Sequence, residues 1–305
     1  FTGSTEVATL LQRNIASRLD AQGRPIPLIA ETGGMNAMIV DSSALTEQVV
    51  IDVLASAFDS AGQRCSALRV LCLQDEIADH TLKMLRGAMA ECRMGNPGRL
   101  TTDIGPVIDS EAKVNIERHI QTMRSKGRPV FQAVRENSED AREWQSGTFV
   151  APTLIELDDF AELQKEVFGP VLHVVRYNRN QLPELIEQIN ASGYGLTLGV
   201  HTRIDETIAQ VTGSAHVGNL YVNRNMVGAV VGVQPFGGEG LSGTGPKAGG
   251  PLYLYRLLAN RPESALAVTL ARQDAEYPVD AQLKAALTQP LNALREWAAN
   301  RPELQ

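Results

Sequence analysis

The feature that most constrains the fold is an alternation of amphipathic helical patterns with short apolar runs along most of the chain. Between Ser43 and Asn223 these two patterns follow one another, separated by glycine, proline and small polar residues. Predicted helices span residues 45–58, 76–94, 110–126, 182–191 and 205–214; predicted strands span 68–73, 149–155, 172–177, 198–201 and 219–223. This alternation predicts an α/β fold.

One thiol lies on a connection between a predicted helix and a predicted strand. Cys65 belongs to the run Ser60-Ala61-Gly62-Gln63-Arg64-Cys65-Ser66-Ala67. Gly62 lets the backbone approach a ligand, and we expect the neighbouring Arg64 to favour the thiolate. Cys72, inside an apolar run, is predicted to be an inert buried thiol. On this evidence alone, Cys65 is either a nucleophile or a second inert thiol.

Charge and cysteine content exclude several classes of protein. The net charge is −7 and basic residues do not cluster, which argues against nucleic acid or an anionic membrane surface as the main partner. Three cysteines, seven and twenty residues apart, form neither a disulfide framework nor a CxxC metal pair. No apolar run has membrane-spanning length. We therefore expect a cytoplasmic protein with reduced thiols, no metal and no transmembrane segment.

Two further segments place polar groups at the ends of predicted elements. The turn Gly3-Ser4-Thr5-Glu6 precedes a helix with Val7, Leu10, Leu11 and Ile15 on one side. Its free N–H groups suit a phosphate, although Ser4 could equally be an ordinary N-cap. A predicted short buried strand, 25–30, ends at Glu31-Thr32-Gly33-Gly34. Glu31 either projects into a cleft or is a surface acid.

The stretch 228–253 contains nine glycines. Gly238-x-Gly240-x-x-Gly243 formally matches a dinucleotide fingerprint, but Pro246 and the glycines after it prevent the helix which that motif requires. Exposed backbone N–H groups in this stretch could bind an anion such as a carboxylate. The alternative is a flexible surface loop.

Together these motifs resemble the aldehyde dehydrogenase superfamily, up to about residue 258. The resemblance rests on five motifs in the family's order: Phe1-Thr2-Gly3-Ser4-Thr5-Glu6-Val7, Glu31-Thr32-Gly33-Gly34, Gly62-Gln63-Arg64-Cys65, Glu166-x-Phe168-Gly169-Pro170 and Pro235-Phe236-Gly237-Gly238. The ending 242–251 resembles more particularly the L-glutamate γ-semialdehyde dehydrogenases, including the module of bifunctional bacterial enzymes in which an upstream proline dehydrogenase with FAD supplies the aldehyde.

The resemblance implies a role for each motif. Cys65 would be the nucleophile and Glu31 the general base of an NAD-dependent oxidation of the semialdehyde to glutamate. The residues implied in NAD binding are Gly3, Ser4, Val7, Gly33, Glu166 and Phe168. Those implied in substrate binding are Ser66, Phe236, Ser242, Gly243, Thr244 and Gly245, with the loop 242–245 holding the substrate's α-carboxylate mostly through backbone N–H groups.

The resemblance also implies a domain organisation. Residues 1–30 would end a Rossmann-type NAD domain, 31–222 form the α/β catalytic domain, and 223–258 return with the glycine-rich loop. Residues 259–305 would hold an oligomerisation strand, 265–270, and a helix, 280–297. We expect a homo-oligomer that channels substrate from the upstream domain, in a parent that is cytoplasmic or peripheral at the inner membrane. The family's oxyanion Asn and ribose Lys are expected before Phe1, so this piece alone should be inactive.

Two other functions remain open from the sequence. A thiol hydrolase or acyltransferase could use Cys65 and Glu31 without NAD, but it usually needs a histidine, and no histidine lies in a motif. The histidines are His80, His119, His173, His201 and His216. A noncatalytic scaffold is the other alternative, and it gives no reason for Cys65, Glu31 and Glu166 to occur together.

Overall fold

The computed structural model describes residues 1–133 and 147–258, together with Thr288 and Asn292. The chain divides into two compact units, Phe1–Arg256 and Leu257–Gln305, and the fold and site below belong to the first. The charged, nonperiodic stretch 135–144, which the sequence predicts to be a solvent loop, lies outside the described residues, as do the tail strand and, apart from Thr288 and Asn292, the tail helix. The domain limits at residues 30 and 222 stay predictions.

A seven-stranded sheet forms the centre of the first unit, which confirms the α/β prediction. Its strands are β1 (Ala37–Val40), β2 (Val70–Gln74), β3 (Val130–Gln132), β4 (Thr153–Leu157), β5 (Val171–Tyr177), β7 (Thr197–His201) and β8 (Asn219–Val222). They lie in the order β3-β4-β5-β2-β1-β7-β8, and only the β3–β4 pair is antiparallel. The central strands β1 and β2 are buried along their whole length, as parallel strands covered on both faces must be.

Seven α-helices lie within residues 1–133 and 147–258. They are α1 (Thr5–Ala16), α2 (Thr46–Phe58), α3 (Asp75–Glu91), α4 (Ser110–Ser125), α5 (Leu182–Ala191), α6 (Asp205–Ser214) and α7 (Tyr253–Leu257). Of these, α2 to α6 bury apolar residues, and α1 and α7 bury none. In α3, Ala78, Leu82 and Leu85 are buried at intervals of four and three residues. In α4, Asp109 caps the helix by accepting the Ala112 N–H at 2.8 Å. A two-stranded ribbon, β6 (Tyr194–Gly195) with β9 (Glu239–Gly240), joins the glycine-rich segment to this core.

The first thirty residues differ from expectation in one respect. Ser4 caps α1, its Oγ accepting the Val7 N–H at 3.3 Å, but no residue of α1 is buried. The segment 25–30 does not form the predicted buried strand: it is irregular, with a single bridge between Pro25 and Leu19, and is mostly exposed. Pro25 and Pro27 lack the N–H groups that a continuous ladder would need.

Three of the predicted motifs lie at the same ends of the parallel strands. Glu31–Gly34 precedes β1, the Cys65 loop precedes β2, and Glu166–Pro170 precedes β5. The site therefore lies at the amino ends of the parallel strands. At the carboxyl ends of β1 and β7, Asp41 accepts hydrogen bonds from Ser43 Oγ (2.6 Å) and from Thr202 Oγ1. No helix in the described ranges is long and apolar enough to cross a bilayer.

Candidate active site

The turn before Cys65 has an unusual backbone. Ser60 and Ala61 adopt the left-handed conformation, with φ of 56° and 54°, and Gly62 follows with φ of 65°. A non-glycine residue in this region costs about 1 kcal/mol or more, so contacts elsewhere must hold the turn in place. Gly62 also packs closely on the segment Glu166–Pro170, so that a Cβ at Gly62 would lie 2.2 Å from the carbonyl oxygen of Gly169.

Asn36, just before β1, forms hydrogen bonds with the backbone of the Cys65 loop. Its Nδ2 donates to the carbonyl oxygens of Cys65 (2.6 Å) and Ala67 (2.9 Å), and its Oδ1 accepts the Thr197 N–H (3.2 Å). Asn36 is buried, so these bonds do not compete with solvent. One amide therefore fixes the Cys65 loop relative to two strands. Asn36 was missed from the sequence, where it follows the glycines as an ordinary turn residue.

A cavity of about 980 Å³ opens beside the thiol. It is lined by Cys65 and Ser66, by Gly3–Glu6 at the start of α1, by Gly33, Glu166 and Phe168, and by Phe236 and Gly249. Seven of the residues predicted for the site, besides Cys65, thus surround one space: Gly3, Ser4, Gly33, Glu166, Phe168, Ser66 and Phe236. Its volume is within the range of ligand pockets.

The environment of Cys65 keeps its thiol protonated. Burial raises the pKa of Cys65, with a further rise from the negative charges of Glu166 and Glu31, while the N–H groups of Ser66 and of Cys65 itself favour the thiolate. Arg64 Nε donates to Ser60 Oγ at 3.0 Å, and the expectation that Arg64 favours the thiolate stays a prediction. Cys72 is fully buried, and burial raises its pKa to about 12, which confirms an inert thiol.

Glu31 lies between the first turn and the glycine-rich segment. Its N–H donates to Phe1 O (2.9 Å) and its carbonyl accepts the Gly3 N–H (3.1 Å). Oε2 accepts the Gly238 N–H at 3.4 Å, whereas Oε1 is buried without a hydrogen-bond partner among the described residues. Burial raises the pKa of the Glu31 carboxyl. This arrangement leaves one buried carboxylate oxygen without a hydrogen-bond donor among the described residues.

Glu166 is held by Arg69, a residue that the sequence reading missed. Arg69 Nε and Nη2 both donate to Glu166 Oε1, at 3.1 and 2.9 Å, and the guanidinium lies 5.1 Å from the centre of the Phe168 ring. Burial raises the pKa of Glu166, and Arg69 opposes that rise. Gly33 approaches the carboxylate so closely that a Cβ would lie 1.7 Å from Oε2. A charged residue between Leu68 and Val70 was the available signal, because a buried arginine needs partners.

The loop 242–245 faces the protein in this conformation. Ser242 is fully buried, its Oγ accepts the Gly195 N–H (3.1 Å), and its own N–H donates to Glu239 O (3.1 Å). The Thr244 N–H donates to Ala30 O at 3.0 Å. Two of the N–H groups predicted to bind a carboxylate are thus already used. Neither Glu31 nor Val7 lines the cavity, nor does any residue of 242–245. Their roles as general base, cofactor contact and carboxylate anchor stay predictions.

The cavity fits the dinucleotide expected from the sequence. The N-terminus of α1, with its capped first turn, and the thiol of Cys65 border the same space, and an anionic pyrophosphate is stabilised at such a helix end. Gly3, Ser4 and Thr5 offer backbone and hydroxyl groups there. Glu166 and Phe168 lie on the wall beside the thiol, where a carboxylate can accept ribose hydroxyl groups.

Comparison with known proteins agrees with this geometry. The sequence model of the aldehyde dehydrogenase family matches residues 1–259. The whole chain aligns at 99% identity with a segment that makes up 23% of the bifunctional protein PutA of Escherichia coli (strain K12). A crystal structure of bifunctional proline utilization A (PutA) superposes with a TM-score of 0.78 at 53% identity, over 84% of this chain and 25% of that one.

A third similarity connects the chain with a cofactor-bound enzyme. A 1-pyrroline-5-carboxylate dehydrogenase from Thermus with bound NAD superposes with a TM-score of 0.73 at 35% identity, over 84% of this chain and 48% of that one. The chain spans about a quarter of the length of the PutA relatives that it matches. Since the family model covers most of its length and the site motifs surround one cavity, this chain belongs to the aldehyde dehydrogenase family.

Proposed function

We propose that this chain carries the thiol-bearing part of an NAD-dependent dehydrogenase that oxidises L-glutamate γ-semialdehyde to L-glutamate, the second step of proline catabolism. The observation that carries the proposal is the single cavity bordered by Cys65, by the N-terminus of α1 and by Glu166. The similarity to PutA and to a 1-pyrroline-5-carboxylate dehydrogenase supports the choice of aldehyde.

The chemistry follows from two side chains. The Cys65 thiolate adds to the aldehyde carbon, forming a C–S bond and placing the electron pair of the C=O bond on oxygen. NAD, when bound, would accept the hydride that the tetrahedral carbon loses as its C=O bond re-forms, which leaves an acyl group on Cys65 as a thioester. Glu31 then takes a proton from the water that attacks the acyl carbon of the Cys65 thioester. The C–S bond breaks, the thiolate is regenerated and the acid leaves.

Two observations weigh against the other functions. No histidine of the described ranges lines the cavity, so the base of a Cys–His hydrolase is not beside Cys65. His119 and His173 face each other, with Nε2 atoms 2.8 Å apart, and His201 Nε2 lies 3.4 Å from Asp52 Oδ2. A scaffold would not require a buried Glu31 Oε1 without a partner, because such an atom costs stability.

The substrate can be tested with full-length PutA and a panel of ω-semialdehydes, with NADH formation as the measurement. We expect the highest kcat/KM for glutamate γ-semialdehyde and a loss of about 100-fold or more when the α-carboxylate is absent. Equal rates with and without the carboxylate would contradict the substrate assignment. Failure to bind NAD would favour the hydrolase.

Glu31→Gln in full-length PutA should uncouple the two halves of the reaction. We expect one equivalent of NADH in a first turnover, followed by a steady rate about 100-fold or more below wild type, because the thioester lacks its base. Burial raises the pKa of both Glu31 and Cys65, and both act deprotonated, so the wild-type rate should rise with pH above the ordinary carboxyl range of about 4.3. The slow steady rate of Glu31→Gln should lose the Glu31 part of that rise.

The matched control is Glu239→Gln, an exposed carboxylate on the glycine-rich segment that Glu31 contacts through Gly238. Glu239→Gln should form NADH in the first turnover as wild type does and should keep the wild-type steady rate. An unchanged steady rate in Glu31→Gln would show that another group activates the water.

The partners follow from the same proposal. A proline dehydrogenase domain with FAD, upstream in the parent, would deliver the aldehyde by channelling, and the similarity to the bifunctional protein PutA supports a second activity. A homo-oligomer in the cytoplasm is part of the proposal.

The isolated 305-residue chain should not form NADH from the semialdehyde. Every residue of α1 has solvent access, so the cofactor turn has protein on one side only. Absorbance at the NADH band measures the rate, and full-length PutA is the positive control. Steady NADH formation by the isolated chain would refute this expectation.

A further inference from the structure

A single buried guanidinium, that of Arg69, joins the two halves of the candidate site. Its Nη1 donates to the carbonyl oxygens of Gly62 (2.6 Å) and Gly169 (3.3 Å), and its Nη2 donates to Arg64 O (3.0 Å). As described above, Nε and Nη2 also hold Glu166. Gly62 and Arg64 belong to the Cys65 loop, whereas Glu166 and Gly169 belong to the segment before β5.

These contacts use the particular shape of arginine. The guanidinium carries five N–H donors in a rigid plane, so it can serve acceptors on opposite sides at once. Arg69 has no solvent exposure, and a buried charge is tolerated only when it is paired and hydrogen-bonded. A lysine would keep the charge but would offer a single point with three donors. It could not reach the same set of carbonyl oxygens.

The backbone of Arg69 is also fixed. Its carbonyl oxygen accepts the His173 backbone N–H at 2.9 Å and lies 3.1 Å from His173 Nδ1. His173 is itself fully buried on β5. The guanidinium therefore projects from a rigid part of the sheet toward the two loops, and it does not follow their movements.

We propose that Arg69 is a positioning residue, which sets the Cys65 loop and the Glu166 carboxylate in one fixed relation. The inference rests on the proposed function, because it assigns the nucleophile to one loop and a cofactor contact to the other. It goes further in making the two interdependent: a change at Glu166 reaches the thiol through the hydrogen bonds of Arg69. A residue that only neutralised Glu166 would not connect them.

The test uses full-length PutA with Arg69→Lys and the matched control Arg86→Lys. Arg86 has similar partners far from the cavity, since it pairs with Glu156 at 2.5 Å and lies 6.0 Å from the Phe131 ring. Four quantities are measured for each variant: the melting temperature, kcat/KM, the KM for NAD, and the pH profile of Cys65 alkylation by iodoacetamide. Alkylation reports on the thiol without needing NAD or substrate.

We expect Arg69→Lys to lose about 100-fold in kcat/KM, to raise the KM for NAD, and to displace the alkylation profile to higher pH. Arg86→Lys should keep kcat/KM and the KM for NAD within about twofold of wild type, and its alkylation profile should lie at the wild-type pH, as expected for a partly exposed ion pair. A wild-type alkylation profile in folded Arg69→Lys would overturn the proposal. If the KM for NAD alone rose, Arg69 would serve Glu166 only, and the proposal would equally fail.

A second variant covers the case in which Arg69→Lys does not fold. Glu166→Asp keeps the negative charge but shortens the side chain by one methylene, which withdraws the carboxylate from the guanidinium. Because the charge of Glu166 also acts directly on the thiol, the quantity compared here is the limiting alkylation rate at high pH, where the thiol is fully ionised. We expect this limiting rate to change as the Cys65 loop moves with Arg69, and an unchanged limiting rate would overturn the proposal. If wild-type PutA failed to reduce NAD with the semialdehyde, the proposed function would fall, whereas the alkylation profiles would still decide the role of Arg69.

Discussion

Cys65→Ala in full-length PutA should lower kcat for NAD-dependent semialdehyde oxidation by about 10⁴-fold or more. The carbonyl carbon of an aldehyde does not readily release hydride until a nucleophile has added to it, and the cavity contains no second thiol among the described residues. The measurements are NADH absorbance for turnover and calorimetric titration for NAD binding. Binding should persist, because α1 and Glu166 are untouched.

Cys92→Ala is the matched control for this variant. Cys92 is also half-buried, but it follows α3 and its Sγ donates to Ala88 O at 3.7 Å, away from the cavity lining. Its removal should leave kcat close to wild type. Turnover at the native rate in Cys65→Ala would refute the thioester mechanism altogether, whereas loss of NAD binding would mean that the substitution had disturbed the loop itself.

Gly62→Ala should have the largest effect on the folded structure. The new methyl group would meet the carbonyl oxygen of Gly169 at 2.2 Å, its carbonyl carbon at 2.6 Å and Ala57 O at 2.9 Å. All three atoms belong to backbone, so no side-chain rotation can relieve the contact. The left-handed φ adds a further penalty for alanine. We expect a loss of about 3 kcal/mol or more in local stability, with turnover lost as the Cys65 loop moves.

Gly127→Ala separates the two contributions. Gly127 has φ of 78°, also left-handed, but nothing lies within 4 Å of an added Cβ. It should cost about 1 kcal/mol and keep activity. Thermal melting of full-length PutA, followed by circular dichroism, compares the two variants. Equal melting temperatures would show that the Gly169 carbonyl can shift at little cost in free energy and that the packing between Gly62 and Gly169 is not rigid.

The regular elements could be predicted from the sequence because local periodicity determines them. The helices at 182–191 and 205–214 have the predicted limits, and the strand predicted at 172–177 begins one residue earlier. Cys72 was recognisable as a core residue because its neighbours are apolar on both faces of β2. Where proline interrupts the pattern, as in 25–30, apolar composition alone predicted a strand that does not form.

The contacts that hold the site were not predictable in the same way. Arg69 meets Glu166 across 97 residues of sequence, and Asn36 reaches Thr197 across 161. Such pairs depend on the order of strands in the sheet, which local patterns do not specify. Motifs identified the reacting groups, and tertiary structure supplied the residues that position them.

The position of the site at the amino ends of the strands has an evolutionary consequence. In most open α/β sheets, ligands bind beyond the carboxyl ends, so variation in those loops changes specificity. Here the carboxyl ends carry the hydrogen-bonded group of Asp41, Ser43 and Thr202 instead. The loops that follow β1 and β7 can therefore vary in length without changing the cavity lining, whereas new specificities arise from the turns that enter the strands and from the segment after β8, which also lines the cavity.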